Sequence, residues 1–243
     1  MSAIDFQGYA RRYNNIKDFD RHLLYYKFLA LKEHREKLGN VLELGCAMGL
    51  MTELILPISR TLDVVDASDE YVRHVKRSIA RKFPKRKSDV RFFTSLFERY
   101  EPDRNYDTII LSGVLPALPN PPKFLRRVAQ WLKRGGALYI TSHNAYSLHR
   151  RVGHAMGLVK NVHALSERDI KLFGHRKVYD LDSLSRDVER SGLRVSARGG
   201  VYLKPLPNRQ MERLTNGMIR AFYEVGKDVD PALCAELYVF ARK

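Results

Sequence analysis

The chain has 243 residues, 44% of them hydrophobic and 29% charged, which suits one folded domain with a sizeable core and excludes a disordered, fibrous or repeat protein. Lys and Arg number 43 against 27 Asp and Glu, a net charge of +16, so anions are the natural partners: nucleic acid, anionic lipid, a phosphorylated metabolite or an acidic sugar. Two cysteines, Cys46 and Cys234, exclude a disulfide framework and a four-thiolate metal site. With no apolar run of about 18 residues and no apolar signal core at the N-terminus, the expectation is a cytoplasmic protein without a membrane span.

Residues 1–40 read as a helical cover. Leu24, Phe28 and Leu31 recur at helical spacing, and Gly39-Asn40 closes the run. Tyr9, Tyr13, Tyr25 and Tyr26, with Arg21 and His22, add aromatic faces with polar tips, which suit either a lid or core packing. Apolar strands then alternate with amphipathic helices, the strands covering 41–45, 61–66, 90–94, 106–112 and 136–141. A helix bearing Phe124, Val128 and Trp131 precedes the fifth strand and is expected to stop at Gly135-Gly136. This alternation predicts a parallel α/β sheet. After Thr141 the rhythm breaks into a polar, His-rich stretch. A helix from Asp180, with Leu181, Leu184 and Val188 inward, ends at Gly192, and a strand follows over 193–203. A helix from about Asn208 carries Met211, Leu214, Met218, Phe222 and Val225 along one stripe, and a strand over 234–240 closes the chain.

The expected fold is therefore an α/β three-layer Rossmann-like sandwich. Its seven-stranded sheet is mostly parallel with an antiparallel last strand. Residues 1–40 form the cover, and 41–243 the main domain with insertions at about 142–180 and 204–232. In such sheets ligands bind beyond the carboxyl ends of the strands. That directs attention to the turns after Leu44, Asp66, Thr94, Ser112 and Thr141.

The strongest local signal is Val41-Leu-Glu43-Leu-Gly45-Cys46-Ala47-Met48-Gly49, with Asp66 ending the next strand. Gly45 and Gly49 permit a tight strand-to-helix turn and close approach of a ligand to backbone. A carboxylate about 20 residues on suits a ribose diol. Leu50 stands where a third dinucleotide-type glycine would be, and an anion at Glu43 beneath the turn favours a cationic ligand over pyrophosphate.

These residues resemble motif I of the class I S-adenosylmethionine-dependent methyltransferases, and Val64-Val-Asp66-Ala67-Ser68 resembles their second motif. The likeness covers about residues 38–141 and 180–203, and is nearest to the ubiquinone-type and small-molecule O-methyltransferase branch. It implies S-adenosylmethionine as cofactor. Glu43 would serve the methionine ammonium, partly through water; Gly45, Cys46, Ala47 and Gly49 would pack on the cofactor, and Asp66, followed by Ala67 and Ser68, would hold the ribose. Leu96 and Phe97 would flank the adenine, where the family often has an acidic residue, and Ser112 would lie in the turn after the fourth strand.

Methyl transfer to an alcohol needs a base, whereas an ionised acceptor does not. Five of the eight histidines, His143, His149, His154, His163 and His175, fall after the fifth strand. His143 directly follows that strand and is the best-placed base. His175 and Arg176 form a denser cluster, the guanidinium offering a fork to a carboxylate or phosphate. Tyr25, Tyr26, Asn144, Tyr179 and Lys204 complete the expected acceptor contacts. The histidine spacings give no metal site. The expected activity is O-methylation of an acidic or phosphorylated small molecule, a sugar or secondary metabolite. The alternatives are an RNA or protein methyltransferase using the basic surface, or a non-enzymatic nucleic-acid-binding module.

Overall fold

In this computed structural model, which describes residues 13–171 and 173–243, the strands are β1 (Gly39–Leu44), β2 (Ser59–Asp66), β3 (Val90–Thr94), β4 (Tyr106–Ser112), β5 (Leu132–His143), β6 (Arg194–Val201) and β7 (Glu236–Arg242). They form one sheet in the order β3-β2-β1-β4-β5-β7-β6. β7 is antiparallel to both neighbours, β5 and β6, and every other pairing is parallel. The order reverses between β1 and β4, where a cleft opens at the carboxyl edge.

Alternate residues of the central strands feed opposite faces, as a sheet covered on both sides requires. Leu42, Leu44, Ile109 and Leu111 pack in one cluster with α4 (Pro121–Trp131) and α7 (Leu181–Glu189). Val41, Ile110 and Tyr139 pack in the other with α1 (Asp20–His34), α2 (Leu50–Ile55) and α3 (Asp69–Lys82). Three of these helices start where a side chain accepts a free backbone N–H group. Ser68 caps α3, Asn120 caps α4 ahead of Pro121, and Asp180 and Ser183 form a reciprocal capping box on α7. α1 is more than a cover, because Leu23 and Tyr26 join a third cluster with α9 (Asn216–Asp228) while Phe28 and Leu31 join the second.

Two expectations are corrected. β5 begins at Leu132, immediately after α4, rather than at residue 136. Tyr106 pairs with Leu132 and Thr108 with Ala137, so 133–136 bulge out of the ladder. Gly135 supplies the left-handed backbone there (φ 73°). The helix expected from Asn208 breaks into α8 (Asn208–Met211) and α9. Thr215 accepts from the Met218 N–H and starts a fresh helix. This resets the phase, so Ile219, Tyr223 and Gly226 are buried while Met218 and Val225 are about half exposed.

Candidate active site

At the end of β1 the chain turns through Gly45 at φ 89°. A Cβ there would lie 2.6 Å from Val114 Cγ2. Gly49, at φ 85°, opens α2 against Val75. Asp66, the last residue of β2, pins this turn. Its Oδ2 accepts from the backbone N–H of Cys46 (3.0 Å) and Ala47 (3.3 Å), and its Oδ1 from Ser68 N–H (2.9 Å). Burial pushes the Asp66 carboxyl up, and these backbone donors pull it back. Glu43 lies beneath, fully enclosed. Its Oε2 accepts from Thr52 Oγ1 at 2.6 Å, while its Oε1 is buried with no hydrogen-bond partner among the described residues. Burial raises the Glu43 carboxyl to about 8.

A cavity of about 1050 Å³ extends from this turn across the carboxyl edge of the sheet. One end is walled by Gly45, Cys46, Ala47, Asp66, Ala67 and Ser68, with Leu96, Phe97 and Ser112 opposite. Ser112 shares a hydrogen bond with Thr141 across β4 and β5 (3.1 Å). Glu43 and Gly49 stand behind this wall and shape it. The residues fit S-adenosylmethionine, since Glu43, with one oxygen unpartnered behind the turn, is a carboxyl that a cationic ligand in front of the turn favours in its charged form. Asp66 presents a carboxylate to a diol, and Leu96 and Phe97 offer apolar faces to a purine.

The other end is polar and densely paired. His143 Nε2 lies 3.6 Å from Glu236 Oε1, and Glu236 Oε2 lies 2.7 Å from Lys27 Nζ. Lys27, His143 and Glu236 all border the cavity. Burial alone would raise the Glu236 carboxyl, but His143 and Lys27 hold it below its usual range. Burial lowers His143, against the opposing pull of Glu236. His175 Nδ1 faces Asp169 Oδ1 at 3.5 Å. Phe173 stacks on the His175 ring (centroids 5.2 Å apart), and the two histidine rings meet edge-on at 5.5 Å. Asp169 is buried, which would raise it, yet His175 and Ser166 hold it well below the carboxylate range. Arg176 and Arg99 stand at the mouth.

Five expected acceptor contacts are reassigned. Tyr25 points outward, 46% exposed, and Tyr26 stacks between Tyr202 and Tyr223 in the third cluster. The Asn144 amide donates to the Ala232 and Cys234 carbonyls at 2.9 and 2.8 Å. Tyr179 donates to Asp187 (2.8 Å), and the buried Lys204 donates to Asn208 (2.7 Å). None of the five borders the cavity. Of the histidines, His154 bonds the Val159 carbonyl, His163 packs on Tyr146 and His149 is buried beside the positive Lys204 and Arg150. Tyr13 does wall the cavity, whereas Tyr9 lies outside the described residues.

Lys27, Asp169 and Glu236 escaped sequence reasoning, though each left a trace. Lys27 occupies a core-phase position between Leu23 and Leu31, and Glu236 interrupts the final apolar strand. Ser166-Glu-Arg-Asp169 has the capping-box spacing, and Asp169 accepts from Ser166 N–H at 2.8 Å.

A family model described as a methyltransferase domain matches residues 15–197. The chain belongs to this methyltransferase family, within the class I S-adenosylmethionine-dependent superfamily. Malonyl-[acyl-carrier protein] O-methyltransferase 2 of Ilyobacter polytropus is 28% identical over 134 residues, 52% of this chain and 49% of that protein. N-terminal Xaa-Pro-Lys N-methyltransferase 1-B of Xenopus laevis is 29% identical over 122 residues, 47% of this chain and 53% of that protein. The chain thus spans about half the length of the curated relatives it matches. The fold is similar to that of the N-methyltransferase NodS from Bradyrhizobium japonicum WM9 in complex with S-adenosyl-L-homocysteine. The TM-score is 0.62 at 15% identity, covering 98% of this chain and 97% of that one. No helix among the described residues is long and apolar enough to cross a membrane.

Proposed function

We propose that this chain methylates a hydroxyl oxygen of an acidic or phosphorylated small molecule, with S-adenosylmethionine as donor and His175 as base. The observation that carries this reading is the Asp169–His175 pair, set in the same cavity as the Gly45–Asp66 turn. Bound at that turn, the cofactor supplies an electrophilic methyl group. Asp169 fixes the Nδ1–H tautomer of His175, which leaves Nε2 to accept the proton of the acceptor hydroxyl. Phe173 holds the ring plane. His143, steadied by Glu236, lies at the edge of His175 and orients the same hydroxyl. Arg176, at the mouth, offers a bidentate fork to the acceptor's carboxylate or phosphate. The curated relatives are named for oxygen and nitrogen transfer respectively, so the choice of oxygen rests on the paired histidines.

The test is mass-spectrometric. The purified chain is incubated with S-adenosylmethionine and a panel of anionic hydroxyl compounds, including sugar acids and sugar phosphates. The expected products carry one new O-methyl group. Arg176→Ala should raise the acceptor KM by about tenfold or more while sparing kcat. Products methylated on nitrogen overturn the oxygen assignment, and failure to bind the cofactor overturns the activity itself.

A further inference from the structure

The insertion after β5 carries an apolar display that the core does not use and of which only Ile170 borders the cavity. Of the ten large hydrophobic side chains exposed among the described residues, five lie between residues 146 and 170: Tyr146, Val152, Met156, Leu158 and Ile170. Exposure peaks at the turn after α5 (Leu148–Ala155), where Met156 is 67% and Leu158 74% exposed. Gly157 between them adopts φ 73° with open space around it. The flanks are basic. From Ala145 to Ser166 there is no acidic residue, against the exposed Arg151 and Lys160, while Arg150 turns inward to the Val162 and Ala164 carbonyls and Asp169. Arg151 lies over the Tyr146 ring, and Lys160 is exposed just beyond the tip. The same insertion ends in Ile170, Lys171 and Phe173, which wall the cavity mouth.

We infer that this insertion docks the protein on an anionic lipid bilayer, with Met156 and Leu158 entering the outer acyl region and the cavity mouth turned toward the membrane. A two-residue apolar tip flanked by the exposed Arg151 and Lys160 suits a deformable surface with negative headgroups. A protein partner of this area would instead meet a broad face with a packed centre. The +16 charge of the whole chain draws it to the same surface. Docking holds regardless of the reaction catalysed. Its consequence, that the acceptor is an amphiphile drawn from the bilayer, rests on the methyl-transfer reading.

Flotation with vesicles tests it. The full chain should float with vesicles of phosphatidylcholine containing phosphatidylglycerol and stay behind with phosphatidylcholine alone. Met156→Glu with Leu158→Glu should weaken flotation tenfold or more. Arg151→Gln with Lys160→Gln should lower it roughly fivefold per cation removed and flatten its salt dependence. In Leu158→Trp, tryptophan emission should shift to the blue on adding anionic vesicles. Calorimetric affinity for S-adenosylhomocysteine should be unchanged in all these variants, which shows that they are folded. The docking inference is overturned if the wild type ignores anionic vesicles. It is equally overturned if the tip variant floats as well as the wild type, or if Lys85→Gln with Lys87→Gln abolishes flotation while the tip variants do not. Loss of cofactor binding in the wild type would sink the activity assignment and leave the vesicle result standing.

Discussion

Glu43 carries a measurable charge signature. Folding raises its carboxyl from about 4.3 in an unfolded chain to about 8. Between those values the native state holds a proton that the unfolded state lacks. Its contribution to stability is therefore full below about pH 4.3 and is lost as pH rises through 8. A cationic ligand above Glu43 favours the ionised form, so S-adenosylmethionine binding at pH 7 should release close to one proton. Calorimetry in two buffers of different ionisation enthalpy measures this, and Glu43→Gln should abolish the release. No net release from the wild type would show that Glu43 does not sense the ligand. In the proposed reaction Asp169 acts one step from the acceptor, through His175. His175→Ala should lower kcat by about 10²–10⁴. Asp169→Asn should lower it by roughly tenfold or more, with little change in acceptor KM. Asp169→Glu, which keeps the charge, should recover part of that loss. A purely structural Asp169 would instead shift melting temperature and leave kcat intact.

At the level of elements, Asn144 joins the end of β5 to the turn before β7. Its amide donates to two carbonyls of that turn, and its Oδ1 accepts from Tyr146 N–H at 3.0 Å. Asn144→Ala strands these buried groups and should cost about 2–4 kcal/mol. That corresponds to a fall of roughly 5–15 °C in Tm for a chain of this size, read by calorimetry, and an unchanged Tm would contradict it. The place of each strand was legible in the sequence, the start of β5 apart, and the parallel ones most clearly, because buried parallel strands write themselves as short apolar runs between turns. The turn that Asp66 pins was legible too, since Gly45, Gly49 and Asp66 are local in sequence. The polar end of the cavity was not. Lys27, Asp169 and Glu236 come from α1, α6 (Glu167–Lys171) and β7, and only the tertiary fold brings them together. Tyr26 and Lys204 misled for the same reason. An aromatic or a lysine near a site looks alike in sequence whether it faces the ligand or a neighbouring helix.

For the whole molecule, the +16 charge divides between local and diffuse work. Residues 71–88 contain eight Lys and Arg and no acidic residue, yet none of the eight, on α3 and the turn beyond it, lines the cavity. Neutralising Lys85 and Lys87 should leave the acceptor KM within about twofold, because charges beyond a Debye length of roughly 8–10 Å are screened. Turnover of the Lys85→Gln, Lys87→Gln chain at low and moderate salt checks this, and a KM that climbs steeply would assign α3 to the substrate. The reversed direction of β7 has a further consequence. Parallel strands deliver their last residues to the cleft, whereas β7 delivers its first, so Glu236 sits opposite His143 in the ladder. The segment just upstream, residues 204–232, packs through Met211, Ile219 and Tyr223 into the third cluster, and β7 meets the cavity through Glu236 alone. Exchanging the segment between Leu203 and Ala235 should therefore shift the melting temperature while leaving cofactor affinity unchanged, so a single reversed strand separates the buttress of the molecule from its chemistry.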